Sequence, residues 1–233
     1  MGNTGVAVSK AVARLASIGV DEAGNAFLND CFKQFGIYVV PIQGEIAQIL
    51  GRQKFEACVL RLYDPDAEEI LRAARDSSSN RRMVIYGMAR NTLEALRFSS
   101  YGVNAIFDEP LERQGVLRVV RSTHLLVIHE LRRYVRIPVV TEASLDVGTE
   151  KNLVAASVEV SAGGMSVRCP VPVPAQEMVR ISFVLPGGKQ ILKVRAAVCW
   201  ARPKENLYGL RFDTADDARL DIRNWIDLYL QLM

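Results

Sequence analysis

Between residues 15 and 112, short apolar runs alternate with amphipathic stretches, and no other feature constrains the fold as tightly. Residues 15–20, 37–42, 57–62, 83–86 and 105–107 read as strands, each a brief run rich in β-branched and aliphatic side chains. Residues 25–35, 45–53, 66–75 and 92–99 read as helices between them, and Glu112 opens another. Gly36 stands where the first helix must stop, the usual place for a residue that tolerates positive φ. Short links between strand and helix imply parallel strands covered by helices on both faces. Residues 1–115 are therefore expected to form an α/β domain, residues 116–131 a connecting helix and residues 132–233 a second domain. The first dozen residues, small and polar, read as a frayed end.

A chain of 233 residues, 49% hydrophobic and 24% charged, has the composition of an ordinary globular protein. Its formal net charge of +3 is too small to point to nucleic acid, and no helix carries a basic reading face. No apolar run approaches the ~18 residues that span a bilayer, so a cytoplasmic protein without direct membrane insertion is expected. No nucleophile–base constellation, Gly-Lys-Ser/Thr phosphate loop or metal-ligand cluster is legible, so neither enzyme nor metalloprotein is expected. Cys31, Cys58, Cys169 and Cys199 are far apart and flanked by apolar residues, which reads as four buried thiols.

The five α/β units resemble a response-regulator receiver, the flavodoxin-like architecture. That resemblance places Asp21 and Glu22 where an acidic pair holds Mg²⁺, but Arg61 where the phosphoacceptor acid belongs. Gly87 stands in place of a hydroxyl residue, and Glu109-Pro110 in place of Lys-Pro. A guanidinium cannot accept a phosphoryl group as a carboxylate does, so the unit is expected to be a degenerate receiver, inert to aspartyl phosphorylation. Asp64-Pro65-Asp66 reads as a turn and helix cap, and residues 76–82 as a solvated connector. In the following helix Val116, Val120, Thr123 and Val127 recur at helical spacing, while Leu117, Leu125, Leu126, Ile128 and Leu131 widen the apolar surface. The surplus is compatible with simple packing or with a homodimer seam. His124 and His129, five apart, do not share a face as metal ligands would.

Beyond residue 136 the pattern turns to strands: 137–141, 153–160, 165–169, 179–185, 190–200 and 208–212. Pro186-Gly187-Gly188 marks a hairpin, and the whole reads as an antiparallel barrel. From Asp216 a helical period returns through Leu220, Trp225 and Leu228, an amphipathic closing helix. Trp200 and Trp225 read more readily as core than as stacking platforms.

Arg132-Arg133-Tyr134-Val135-Arg136 places three guanidiniums where the long helix ends, because Pro138 disfavours helix just before it. Any residual helical turn would bring Arg132 and Arg136 to one face. Planar guanidiniums suit paired phosphate oxygens and the O6/N7 edge of guanine. Glu159, Ser161, Gly163 and Gly164 follow within six residues: an acceptor for guanine N–H groups, a hydroxyl, and two glycines that permit close backbone approach. Together they point to an anionic guanine nucleotide.

These residues resemble the PilZ family, receptors for cyclic di-GMP. Arg132 and Arg136 match its Arg-x-x-x-Arg turn, and Ser161 and Gly164 match its Asp/Asn-x-Ser-x-x-Gly motif, with Glu159 one methylene longer than the family's Asp or Asn. Val198-Cys199-Trp200 and residues 208–212 resemble later family strands, so the likeness covers about residues 130–233. It implies a cyclic di-GMP receptor with a PilZ-type β-barrel and closing helix. Arg132 and Arg136 would grip phosphates and guanine, Arg133 would add charge, and Glu159, Ser161, Gly163 and Gly164 would complete the surface. The signal would pass on by reorientation of the halves or by binding an unidentified protein partner. The competing reading is a PilZ-type scaffold that binds protein and no nucleotide.

Overall fold

The computed structural model describes residues 12–174 and 177–231. Two compact units divide the chain, Val12–Leu131 and Arg132–Met233. The frayed end expected at the start lies, up to residue 11, outside the described residues.

The first unit is built on five strands: β1 (Ala13–Ile18), β2 (Ile37–Ile42), β3 (Ala57–Arg61), β4 (Val84–Ala89) and β5 (Ala105–Asp108). They pair in parallel in the order β2-β1-β3-β4-β5, the 2-1-3-4-5 order of the receiver-like fold. The helices between them are α1 (Glu22–Phe32), α2 (Ile46–Arg52), α3 (Ala67–Asp76) and α4 (Thr92–Arg97), with α5 (Arg113–Tyr134) last. Successive strand residues face opposite sides of the sheet. Ala13 and Leu15 join Leu28, Phe32, Tyr86, Phe107, Val116 and Val120 on the face covered by α1 and α5. Ala16 and Ile18 join Leu50, Leu60, Ile70 and Leu71 on the face covered by α2 and α3. Each of the larger aliphatic and aromatic side chains among them, fully buried, is worth about 1.5–3 kcal/mol.

On the first face Tyr86 stacks on Phe107 at 5.2 Å and meets the edge of Phe32 at 5.3 Å. Thr123 belongs to the buried stripe of α5 because its hydroxyl hydrogen-bonds the Tyr86 hydroxyl, 2.8 Å away. Burial pushes the Tyr86 phenol up to about 12. The connector after α3 is not simply solvated. Asn80 is wholly buried, accepts from Phe55 N (2.8 Å) and donates to Leu50 O and Gln53 O (2.6 and 2.7 Å). Asp66 does occupy the N-cap position of α3, but its side chain makes no capping hydrogen bond.

The second unit contains β6 (Ile137–Pro138), β7 (Glu142–Val147), β8 (Glu150–Ser161), β9 (Gly164–Arg168), β10 (Met178–Val184), β11 (Ile191–Arg202), β12 (Leu207–Phe212) and α6 (Ala218–Gln231). The order β8-β7-β10-β11-β12-β9, closed by a β8–β9 pairing, makes a six-stranded antiparallel barrel with β6 appended to β8. Alternation fills its interior: Val179, Ile181 and Phe183 of β10, Leu192, Val194 and Ala196 of β11, and Tyr208, Leu210 and Phe212 of β12 are buried. Ile222 and Ile226 of α6 are buried too.

Further readings need correction. The barrel has a further strand, β7, absent from the expected set, in which Glu142, Ser144 and Asp146 alternate with the inward Ala143, Leu145 and Val147, the pattern of a strand with one face buried. Cys31, Cys58 and Cys169 are buried, whereas Cys199 is exposed. A register shift in the β11–β12 pairing lies between Val198 and Trp200, leaving Cys199 unpaired in the ladder.

Candidate functional site

The arginine turn begins inside α5. Arg132 and Arg133 lie in the helix's last turn, where cations complement the negative end of the helix dipole. The helix stops at Tyr134, so Arg136 lies beyond it and no shared helical face brings the arginines together. What positions Arg136 is the sheet. Val135, Ile137 and Val139 are buried while Arg136 and Pro138 are exposed, the alternation of an extended segment entering the barrel. Pro138 pairs with Glu159 across β6 and β8, and Arg136 Nη1 stands 3.4 Å from Glu159 Oε1. Both side chains keep access to solvent, 55% for Arg136 and 34% for Glu159.

Arg132 Nε faces Asp227 Oδ1 of α6 at 3.1 Å, each side chain about 30% exposed or less. Asp227 lies 95 residues away in sequence and had no signal of its own. Arg133 is exposed beside them. Just past the turn, Thr141 N donates to Ser157 Oγ at 2.9 Å and Ser157 Oγ donates to Val139 O, which pins the segment to β8.

Glu159 follows a register shift between Ser157 and Glu159 in the β8–β9 pairing. Such a shift re-aims the side chains beside it. The turn that follows is built from the motif residues themselves. Ser161 is buried, and its hydroxyl donates to Gly164 O at 2.9 Å. Gly164 has no room for a side chain, since a Cβ would sit 2.1 Å from Leu210 O of β12. Gly163 is exposed and has open space on its Cβ side. Arg136 and Glu159 are thus brought together with solvent access, Gly163 offers bare backbone, and Ser161 and Gly164 shape the turn. Trp200 is exposed, not core as expected, and lies against Gly209, where a Cβ would come within 2.1 Å of its ring. Trp225 stacks on Tyr229 and donates to Pro186 O at 3.1 Å.

The first unit has its own candidate, the crevice at the carboxyl ends of its strands, where ligands bind in folds of this kind. Arg61, at the end of β3, reaches into it. Its Nη1 donates to Gly19 O at 2.8 Å, its Nε faces Glu109 Oε1 at 3.5 Å and its Nη2 faces Asp21 Oδ2 at 3.9 Å. Asp21 is otherwise occupied as the N-cap of α1, accepting from Gly24 N at 2.7 Å. Asp64 lies close by, its carboxyl pushed up by burial against the opposing pull of Arg61. Gly87 could not be a hydroxyl residue without rearrangement: a Cβ there would come within 2.6 Å of Leu62, which is buried. Among the described residues no group of three or more His, Cys, Asp or Glu is placed to hold a metal ion, and no helix is long and apolar enough to cross a membrane.

Comparison with known proteins separates the same two regions. Residues 130–228 match the family model of the PilZ domain. No curated protein matches the chain. Among solved structures, the chain is similar to the receiver domain of a sensor histidine kinase from Pseudomonas aeruginosa PAO1, at 17% identity over 48% of this chain and 98% of that one, with a TM-score of 0.41. The chemotaxis response regulator CheY4 of Vibrio cholerae matches at 13% identity over 48% of this chain and 98% of that one, with a TM-score of 0.43. A signal receiver domain of a Clostridium thermocellum histidine kinase matches at 14% identity over 48% and 97%, with a TM-score of 0.44. Residues 130–228 form a PilZ domain, preceded by an α/β unit with the receiver-like strand order.

Proposed function

We propose that this chain is a cytoplasmic, non-enzymatic receptor for cyclic di-GMP, bound at the arginine turn and the rim of the barrel. The observation that carries this reading is the pairing of β6 with β8, which sets the exposed Arg136 beside Glu159 at 3.4 Å. Asp227 and Glu159 serve as counter-ions for Arg132 and Arg136. The exposed Arg136–Glu159 pair is worth only about 0–1 kcal/mol, so a phosphodiester can displace it at little cost, whereas the more buried Arg132–Asp227 pair is the costlier of the two to open. Charge-assisted contacts of about 1.5–3 kcal/mol each from Arg132 and Arg136, with added charge from Arg133, are ample for micromolar affinity, about −8 kcal/mol. Glu159, released from Arg136, accepts from guanine N–H groups, and Gly163 lets the ligand approach the backbone. No metal is needed for this chemistry. Binding is passed on by a changed arrangement of the two units or by a protein partner, with a second copy of the chain as one candidate.

A specific observation favours a second reading, a PilZ-type scaffold that binds protein alone. Ser161 and Gly164 are both required by the turn itself, so their presence does not depend on a ligand. Equilibrium dialysis against cyclic di-GMP, GTP and cyclic AMP decides between the two. Retention of cyclic di-GMP alone is expected; retention of none of the three leaves the scaffold.

A further inference from the structure

A cleft of about 500 Å³ opens on the PilZ domain beside the Ser161–Gly164 turn, walled by Gly163, Arg211, Asp213, Thr214 and Arg219. The barrel register explains its position. Gly164 of β9 pairs with Arg211 of β12, and Arg211 pairs with Ala197 of β11, so Arg211 stands in the row that leads directly from the turn. Arg219 reaches the cleft from the first turns of α6.

The charges around this cleft are unevenly matched. Asp213, the acid on its wall, is engaged by Arg195 Nη2 at 3.2 Å and by Ala215 N at 3.0 Å. Asp216 is held by Arg195 N at 2.8 Å and by Ala218 N at 3.1 Å. Those contacts lower the Asp216 carboxyl below its usual range, first through the Arg195 N–H, so it stays an anion committed to its own partners. Arg211 and Arg219 have no ion pair or side-chain hydrogen bond with any described residue. Two guanidiniums without counter-ions on the walls of one cleft repel each other and raise its potential. None of their ten side-chain N–H donors meets an acceptor among the described residues. The bare backbone of Gly163 and the hydroxyl of Thr214 complete a surface suited to tetrahedral oxyanions.

We infer that this cleft is a second anion site, which takes a phosphate group through Arg211 and Arg219. None of the residues that define the arginine turn contributes to its walls. Its chemistry fits a phosphodiester of a cyclic dinucleotide, in which case it rests on the function proposed above, and it equally fits free inorganic phosphates.

The test follows the side-chain Nε–H resonances of Arg211 and Arg219 by NMR, in the full chain at about 0.15 M ionic strength. Pyrophosphate and cyclic di-GMP are the two probes. Saturable shifts with either probe are expected, lost in Arg211→Gln/Arg219→Gln while circular dichroism stays unchanged. Shifts with both probes identify the dinucleotide as a source; shifts with pyrophosphate alone identify free phosphates. Resonances that stay still with both probes overturn the inference, and do so whether or not cyclic di-GMP binds elsewhere on the protein. Binding of cyclic di-GMP that is lost in Arg136→Ala, with Arg211 and Arg219 unmoved by either probe, refutes the second site and leaves the receptor reading standing. Shifts with pyrophosphate in a protein that binds no cyclic di-GMP do the reverse.

Discussion

Both units of this chain place arginine beside carboxylate, yet the two arrangements do opposite things. In the α/β unit Arg61 points into the crevice and ties together the ends of three strands, through Gly19 O after β1 and Glu109 after β5. Its side chain is 27% exposed and that of Glu109 only 16%. In the PilZ domain Arg136 and Glu159 meet on the surface, more than half of the Arg136 side chain in solvent. A half-buried guanidinium with a backbone acceptor is a structural tie, costly to remove because it leaves desolvated partners behind. An exposed one with a single carboxylate 3.4 Å away is a weak contact that costs little to open. The same residue type is a tie in one unit and a loosely held surface charge in the other, and burial decides which.

That contrast can be broken most sharply at Arg136. Arg136→Ala is expected to weaken cyclic di-GMP binding about 10–100-fold, since each 1.4 kcal/mol is a factor of ten, with little change in melting temperature. Fluorescence anisotropy with a labelled dinucleotide reads the first and a thermal melt the second. Unchanged affinity would move the site elsewhere.

Arg61→Ala is expected to behave in the converse way. Removing its hydrogen bond and partly buried ion pair should cost about 1–2 kcal/mol and lower the melting temperature of the α/β unit by several degrees, while dinucleotide affinity stays as it was. The wild-type unit should also gain no phosphoryl group from acetyl phosphate. Mass spectrometry that finds Asp21, Asp64 or Asp66 phosphorylated would show the crevice to be open after all. The smallest effect is expected from Glu159→Asp, which shortens the acid by one methylene and should hold affinity within about threefold, below 1 kcal/mol. A sharp loss in the anisotropy titration would mean that the re-aimed strand after Ser157 is matched to the longer side chain.

Much of this was legible in the sequence, and the exceptions share a cause. The parallel sheet showed itself because its strands are continuous apolar runs, and Gly36 ends the first helical segment with φ of 69° as its position implied. The arginine turn and the Glu159-to-Gly164 segment were legible because each is local. The reading that the arginines share a helical face failed, since α5 ends at Tyr134 and strand pairing, a long-range event, does the positioning. Asp227 as the counter-ion of Arg132, and Arg219 as a wall of the second cleft, depend on where α6 docks on the barrel, which no spacing encodes. Asn80 looked like a loop residue until its amide was found spanning three backbone groups. β7 could have been found from Ala143, Leu145 and Val147, whose alternation with Glu142, Ser144 and Asp146 is the pattern of a strand with one face buried.

Calorimetric titration of cyclic di-GMP into the wild-type protein bears most directly on the claim that the barrel rim is an available anion site. Saturating heat with a dissociation constant in the micromolar range or below, about −8 kcal/mol or stronger, is the expected result. No heat up to about millimolar dinucleotide, roughly −4 kcal/mol, would contradict it.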